Sequence, residues 1–490
     1  MKRANSRTRL LVSTLATVLL SAALTTPQAF ADEQAPVTSR RVAEPVHMSE
    51  GEYRKLKAAG TLDASDWTVA AEPSAQGKPL TEAQANAELA RAATAGAAAP
   101  EYGDTSKVPL QERSGELTAA AAAAAPPTSW GDTPPQDAET CLGRNEANQA
   151  GGLTFNRWVW CHRMRIGLNY YEVDEDGREL EGTNSLVAEV AAVGSGTERG
   201  IRTYLRVEEG SVSYDGWDPL DRWFTAPDLH MYVLSDCAQG YDYCQGTGSG
   251  VEHTWERWDH LGAWLHWDIY SHEEASTAAD KVLYHDWFFR YGGGDEDEYP
   301  GPEGRTPYWQ IRCDSANYFE RFGREYPRAC VNYNVVPHLT YRISDTRVED
   351  VARHIRFAQN EPTRTYPVEF TEVKDIPGKY TGVRDGRGLT RTPHEGPVDK
   401  ANEDVKDRAC QRKPPYEGDW GLPPYDTGTH QCDEYPFSIT NEGASHPEWA
   451  FSVRAVPSAQ NGSAGGLLNW YLFSDRILYD RDPFWVEILD

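Results

Sequence analysis

Eight cysteines behind an export signal constrain this 490-residue chain more than any other feature. They are Cys141, Cys161, Cys237, Cys244, Cys313, Cys330, Cys410 and Cys432. An even number in a secreted setting reads as a disulfide framework. The count leaves the connectivity open; pairing between sequence neighbours is expected, Cys141 with Cys161, Cys237 with Cys244, Cys313 with Cys330 and Cys410 with Cys432. No CxxC pair occurs, which argues against structural zinc. The export signal is a basic lead (Lys2, Arg3, Arg7, Arg9), an apolar run from Leu10 to Leu24, and Ala29-Phe30-Ala31 before Asp32. Residues 1–31 therefore read as a secretory signal peptide of the general export route, and the remainder as secreted and extracellular. No later stretch is long and apolar enough for a transmembrane segment.

The formal net charge is −27. Such an acidic excess disfavours passive attraction to DNA or anionic membranes. It leaves room for a nucleic-acid enzyme if a metal ion supplies local positive charge. Residues 331–490 carry only about −7 of it.

Four regions follow from pattern. Residues 32–135 contain "ANAELARAATAGAAAP" and "ELTAAAAAAAPPTSWGDTPP". Alanine runs broken by Gly and Pro, with few large apolar residues, read as a largely disordered leader or linker. Within it, "SEGEYRKLKAAG" at 49–60 reads as one short helix capped at Ser49. Residues 138–325 are Trp/Tyr-rich and alternate in "RMRIGLNYYEV", "LVAEVAAV" and "DLHMYVLSD". That period of two predicts antiparallel strands and a sandwich-like β-rich domain. Residues 331–490 mix periods and predict an α+β domain. "VVPHLTYRI", "FSVRAVPS" and "FWVEIL" read as strands. "DTRVEDVARHIRFAQNE" reads as a helix with its stripe on Val348, Val351, Ile355 and Ala358, and "KANEDVKDRAC" as a more polar one.

Three places could carry chemistry. His253, His260, His266, His272 and His285 lie among Trp255, Trp258, Trp264, Trp267 and Trp287. Their spacing matches no compact ligand set. The plain reading is a tryptophan core edged by histidines; a face for a glycan or other extracellular ligand is the alternative. "DEDEYPGPEG" at 295–304 sits among turn formers and reads as a solvated acidic loop, with a calcium loop as the minority reading. "QCDEYPFSITNEGA" at 431–444 differs, because Phe437 and Ile439 alternate with polar residues and Cys432 can fasten the segment. Carboxylates on a fastened element suit a general base or a divalent ion.

"DEYPF", with a second "EG" element eight residues after its Glu, resembles the signature of the NucA/NucB family of secreted bacterial deoxyribonucleases. The likeness extends to "VPHLTYRISDTRVEDVARHIRFA", "LTRTPHEGPVDKANEDVKDRAC" and "VRAVPSAQNGSAGGLLNWYLFSDRIL", in that order, over about 331–490. The resemblance implies a ββα-metal type nuclease domain that hydrolyses DNA without sequence preference, using Mg²⁺ or Mn²⁺. It implies Asp433 as general base, and Glu434 as its alternate or a residue near the metal. It implies Glu442, Asn461 and Asn469 as metal ligands. Arg391 and Arg454 are candidate phosphate contacts, since guanidinium binds phosphate bidentately; ordinary surface charge is the equal alternative. Two departures from the family pattern stand out: "NEGA" replaces a doubled glycine, and Gln431 stands where an acidic residue is found in some members. His430 and His446 are nearby candidates for a base. The rival to a secreted nuclease is a non-enzymatic binding protein with a degenerate nuclease domain.

Overall fold

The structure, a computed structural model, describes residues 39–73, 77–91, 97–113, 116–119, 126–293, 299–321, 323–368 and 373–490. The expected signal peptide and the acidic run Asp295–Glu298 lie outside these residues. The described part is β-rich, with the longer helices concentrated towards the C-terminus.

Strand β1 (Arg40–Ser49) runs antiparallel to β2 (Val159–Val173) along its whole length. β2 turns back at Asp174–Gly177 into β3 (Arg178–Gly194), with the Asp174 carboxylate accepting the Asp176 and Gly177 amides. β4 (Gly200–Val207) pairs with β3, and β6 (Leu265–Ser271) with β4. A second antiparallel sheet orders β5 (His230–Cys237), β7 (Leu283–Gly293), β8 (Trp309–Asp314) and β9 (Ala329–Asn332). Alternation decides the packing: Met164, Ile166, Leu168 and Tyr170 of β2 share one core with Trp287, Phe289 and Tyr291 of β7. On the other face of β2, Arg165 is buried against Glu50 at 2.8 Å. Glu50 opens helix α1 (Glu50–Ala59), which is capped at Ser49 as its sequence predicts.

Two expectations need correction. The sheets run past both edges of 138–325, taking in β1 and β9. The stretch 32–135 is also not wholly a loose leader. β1 completes a sheet, and residues 99–108 lace that sheet's surroundings to the C-terminal region. Ala99 N–H donates to Thr154, Thr340 N–H donates to Gly103, and Arg342 pairs with Asp104 at 2.8 Å. Gly103 has φ +64°, and a Cβ there would sit 1.9 Å from the His338 carbonyl oxygen, so only glycine fits. These segments were hidden by the alanine and proline around them, because strand β1 carries its few apolar residues (Val42, Ala43, Val46, Met48) for partners 117–129 residues away.

All four disulfides join the expected neighbours. Trp255, Trp258, Trp267 and Trp287 are buried, so they build core rather than a ligand face. Among the described residues the only close cluster of three metal-type side chains is Cys237, Cys244 and His285, and its two cysteines are bonded to each other.

The C-terminal region begins at β10 (His338–Arg342), which pairs in parallel with the last strand, β13 (Trp485–Leu489). Helix α2 (Glu349–Asn360) buries Val351, His354, Ile355 and Ala358. Helix α3 (Pro397–Cys410) follows. Strands β11 (His430–Tyr435) and β12 (Ser452–Pro457) form an antiparallel pair, and α4 (Ser458–Ser474) starts directly after β12. A buried charge network joins the turn after α4 to the β-rich part. Asp482 lies between Arg157 and Arg312, and Arg476 pairs with Asp314 at 2.7 Å.

Candidate active site

Asp433 and Arg454 are register partners across the β11–β12 pair, as are Tyr435 and Ser452. Directly opposed residues point to the same face, and α2 covers this one. His354 of α2 lies with Nδ1 2.5 Å from Asp433 Oδ2 and Nε2 2.8 Å from Ser452 Oγ. Gln359 donates to the Tyr435 hydroxyl at 3.0 Å. The carboxylate of Asp433 is thus held by a histidine that is itself 1% exposed and fixed at both nitrogens.

The other face of β11 carries Cys432 and Glu434, two residues apart. Helix α3 carries Lys406 and Cys410, four apart and so on one side of the helix. The Cys410–Cys432 disulfide therefore sets Lys406 Nζ 3.5 Å from Glu434. Burial pushes Glu434 up to about 8, against the opposing pull of Lys406, and Glu403 and Asp433 add to the rise. Burial would lower the Lys406 ammonium; Glu434, Glu403 and Asp407 more than reverse this and raise it. Glu434 also accepts the Ser438 amide at 3.1 Å.

Asp433 and Glu434 open into a cleft of about 290 Å³ shared with Asn461, Asn469, Lys406 and His394. Asn461 and Asn469 lie eight residues apart on α4, roughly two turns. Asn461 Nδ2 donates to Gln431 at 3.0 Å, which turns its amide oxygen free of that contact. The cleft is thus a set of oxygen donors, with one ammonium on its flank.

Four of the expected site residues meet here: Asp433, Glu434, Asn461 and Asn469. Glu442 does not line the cleft. Its carboxylate accepts the Thr390 amide at 2.7 Å and the Thr390 hydroxyl at 2.8 Å, and burial raises it. Arg391 is also elsewhere. It packs 4.6 Å from the Tyr479 ring centre and donates to the Ile477 carbonyl, and burial lowers its affinity for a proton. It packs against the protein's own aromatic rings and does not line the cleft. Arg454 is exposed beside the site. His430 and His446 bond locally, to Thr429 and to the Glu448 and Trp449 amides. His354, Lys406 and His394 were not singled out from sequence. A signal for His354 was present: it falls on the apolar stripe of α2, where a polar side chain needs a buried partner.

A comparison with curated proteins finds no match, and neither does one with solved structures. Residues 381–486, the C-terminal region that holds all of the cleft except its α2 wall, match the family model of deoxyribonuclease NucA/NucB.

Proposed function

We propose that this protein is a secreted endonuclease that hydrolyses DNA phosphodiester bonds with the help of a divalent ion, Mg²⁺ or Mn²⁺. The observation that carries the reading is the convergence of Asp433, Glu434, Asn461 and Asn469 on one cleft inside the region that matches the nuclease family. A strand pair that leads straight into a helix is also the order of elements that a ββα-metal nuclease requires. Four disulfides fit a secreted protein.

The residues present suit such an ion. Amide and carboxylate oxygens are the ligands that Mg²⁺ and Mn²⁺ take, and the Asn461 and Asn469 amides would hold it beside the two carboxylates. When bound, the ion supplies charge stabilisation for the phosphorane-like transition state. The protein's own part is to position groups. His354 and Ser452 hold Asp433 in one orientation, so its free oxygen can take a proton from an attacking water. Lys406 keeps a positive charge against Glu434 and so limits repulsion of the incoming phosphate. Arg454, exposed next to Asp433, offers a guanidinium to the DNA backbone.

The test is plasmid cleavage by the mature protein with Mg²⁺ or Mn²⁺, with and without EDTA. Cleavage should require metal and should fall by roughly 100-fold or more in Asp433→Ala and Asn461→Ala. No cleavage with any metal would sink the reading. Full activity in both folded variants would reject the site.

A further inference from the structure

His394 belongs to the wall of the same cleft, and nothing in the reading so far uses it. It sits in the turn just before α3, and its side chain is 79% exposed. Nδ1 lies 3.0 Å from Oδ2 of Asp399, and the same oxygen accepts the Glu395 amide at 2.8 Å. Glu395 has φ +57°, a left-handed backbone unusual for its type; the turn is folded so that both donors reach one carboxylate. Asp399 is 4% exposed, and its second oxygen is buried with no partner. It stands in the first turn of α3, where peptide dipoles favour a carboxylate. A buried carboxylate therefore fixes which nitrogen of His394 points inward. Nε2 makes no hydrogen bond among the described residues.

A surface ion pair that only capped α3 would have no reason to stand in the cleft wall that Asp433 also lines. An imidazole that lines a cleft, with one nitrogen tied to a buried carboxylate and the other without a hydrogen bond among the described residues, has the arrangement of an oriented proton donor or acceptor. With Asp433 placed to take the proton from water, the reaction still needs a proton for the alkoxide that leaves.

We infer that His394, oriented by Asp399, is the general acid that protonates the leaving 3′ oxygen of the cleaved DNA strand. The inference rests on the hydrolytic reading above. In the step, water oxygen bonds to phosphorus and Asp433 accepts the water proton. The bond from phosphorus to the 3′ oxygen breaks, and that oxygen takes its electron pair and the proton from His394 Nε2. The products are a 3′ hydroxyl and a 5′ phosphate. His394 is left with its proton on Nδ1, facing Asp399, and regains the other from solvent as Asp433 returns its own. No oxidant or reductant enters.

The test compares two duplex oligonucleotides with Mn²⁺ in the full-length mature protein. One carries ordinary linkages. The other carries a single linkage in which sulfur replaces the bridging 3′ oxygen, so that the thiolate leaves without needing a proton. His394→Ala should lose roughly 100-fold or more on the oxygen linkage, the usual range for a lost general acid, and less than about 3-fold on the sulfur linkage. Asp399→Asn should show the same split, with circular dichroism as the check that it is folded. Equal losses on both linkages would mean that His394 only positions or packs, and would overturn the inference. So would full activity of His394→Ala on DNA, or a wild type that cuts the oxygen linkage but not the sulfur one. A wild type that cuts neither duplex with any metal would instead overturn the hydrolytic reading itself, and the acid role with it.

Discussion

Replacing Asp482 with asparagine should destabilise the whole molecule far more than a single ion pair usually does. Asp482 is 1% exposed, and both of its neighbours, Arg157 and Arg312, are fully buried. Arg157 Nη2 lies 3.3 Å from one of its oxygens, and Arg312 Nη1 bonds the other. Around them, Arg312 and Arg476 share Asp314, and Asp475 faces Arg157 at 3.8 Å. The count is three guanidinium groups to three carboxylates. Asparagine has nearly the same shape as aspartate and also tolerates the φ of +63° found here, so no cavity opens and no backbone strain is added. What remains is one missing negative charge between two arginines that cannot shed their protons. Breaking a buried pair in this way costs about 3–5 kcal/mol, against about 0–1 kcal/mol for an exposed one. The assay is urea unfolding at pH 7 followed by tryptophan fluorescence, with an unchanged denaturant slope as the condition for reading the midpoint as stability. Adding Arg312→Met to the variant should recover part of the loss, because it removes one stranded charge. A loss below about 1 kcal/mol, or no recovery in the double variant, would refute the view that this network holds the C-terminal region to the β-rich part.

Further outcomes follow from the same structure. Arg391→Ala should lower stability by about 2 kcal/mol through lost stacking and a lost hydrogen bond, while KM for DNA stays unchanged; a raised KM with intact stability would restore it as a phosphate contact. Removing the disulfide as Cys410→Ala with Cys432→Ala, a loop with a sequence separation of 22, should cost about 3 kcal/mol and also reduce cleavage, since Lys406 and Glu434 lose their clamp; unchanged thermal unfolding would contradict this. Burial lowers His162 and His338 to about 4 and His285 to about 3. A lowered base is neutral in the fold, so its contribution is present above the unfolded value near 6.5 and is lost as pH falls towards 4, on the order of 3 kcal/mol for each. Asp475, raised by burial to about 6, and Glu434, raised to about 8, act in the opposite sense, as does the raised Glu442, each losing its contribution as pH rises; between pH 6.5 and 4 the three imidazoles, joined by the lowered His47, outweigh them. The urea midpoint should therefore drop between pH 6.5 and 4; a flat or rising midpoint would refute the assignment of these histidines as buried and neutral.

Local chemistry was legible in the chain wherever the partner lay close in sequence or on the same element. The four disulfides could be paired as neighbours because each closes a short loop, from 7 to 22 residues. The α2 stripe, the Ser49 cap and strand β12 follow from periodicity and capping, which act over a turn or two, whereas the alternation at 437–440 falls in the turn after β11. Asp433, Glu434, Asn461 and Asn469 could be named because the ordered segments that carry them resemble the NucA/NucB signature.

What sequence alone determined is therefore the set of oxygen donors and the covalent frame that holds them. The tertiary structure decided which of those donors share a cleft, and that Glu442 and Arg391 do not. It also supplied their partners: His354 on Asp433, Lys406 on Glu434, Asp399 on His394. And it drew β1 and residues 99–108 out of an alanine-rich stretch into the fold, locking both parts together through Asp482. The reason is physical. A helix or strand pattern records which face a residue occupies, but the electrostatic partner on the facing element is set by packing between segments tens to hundreds of residues apart, and no local pattern encodes that distance.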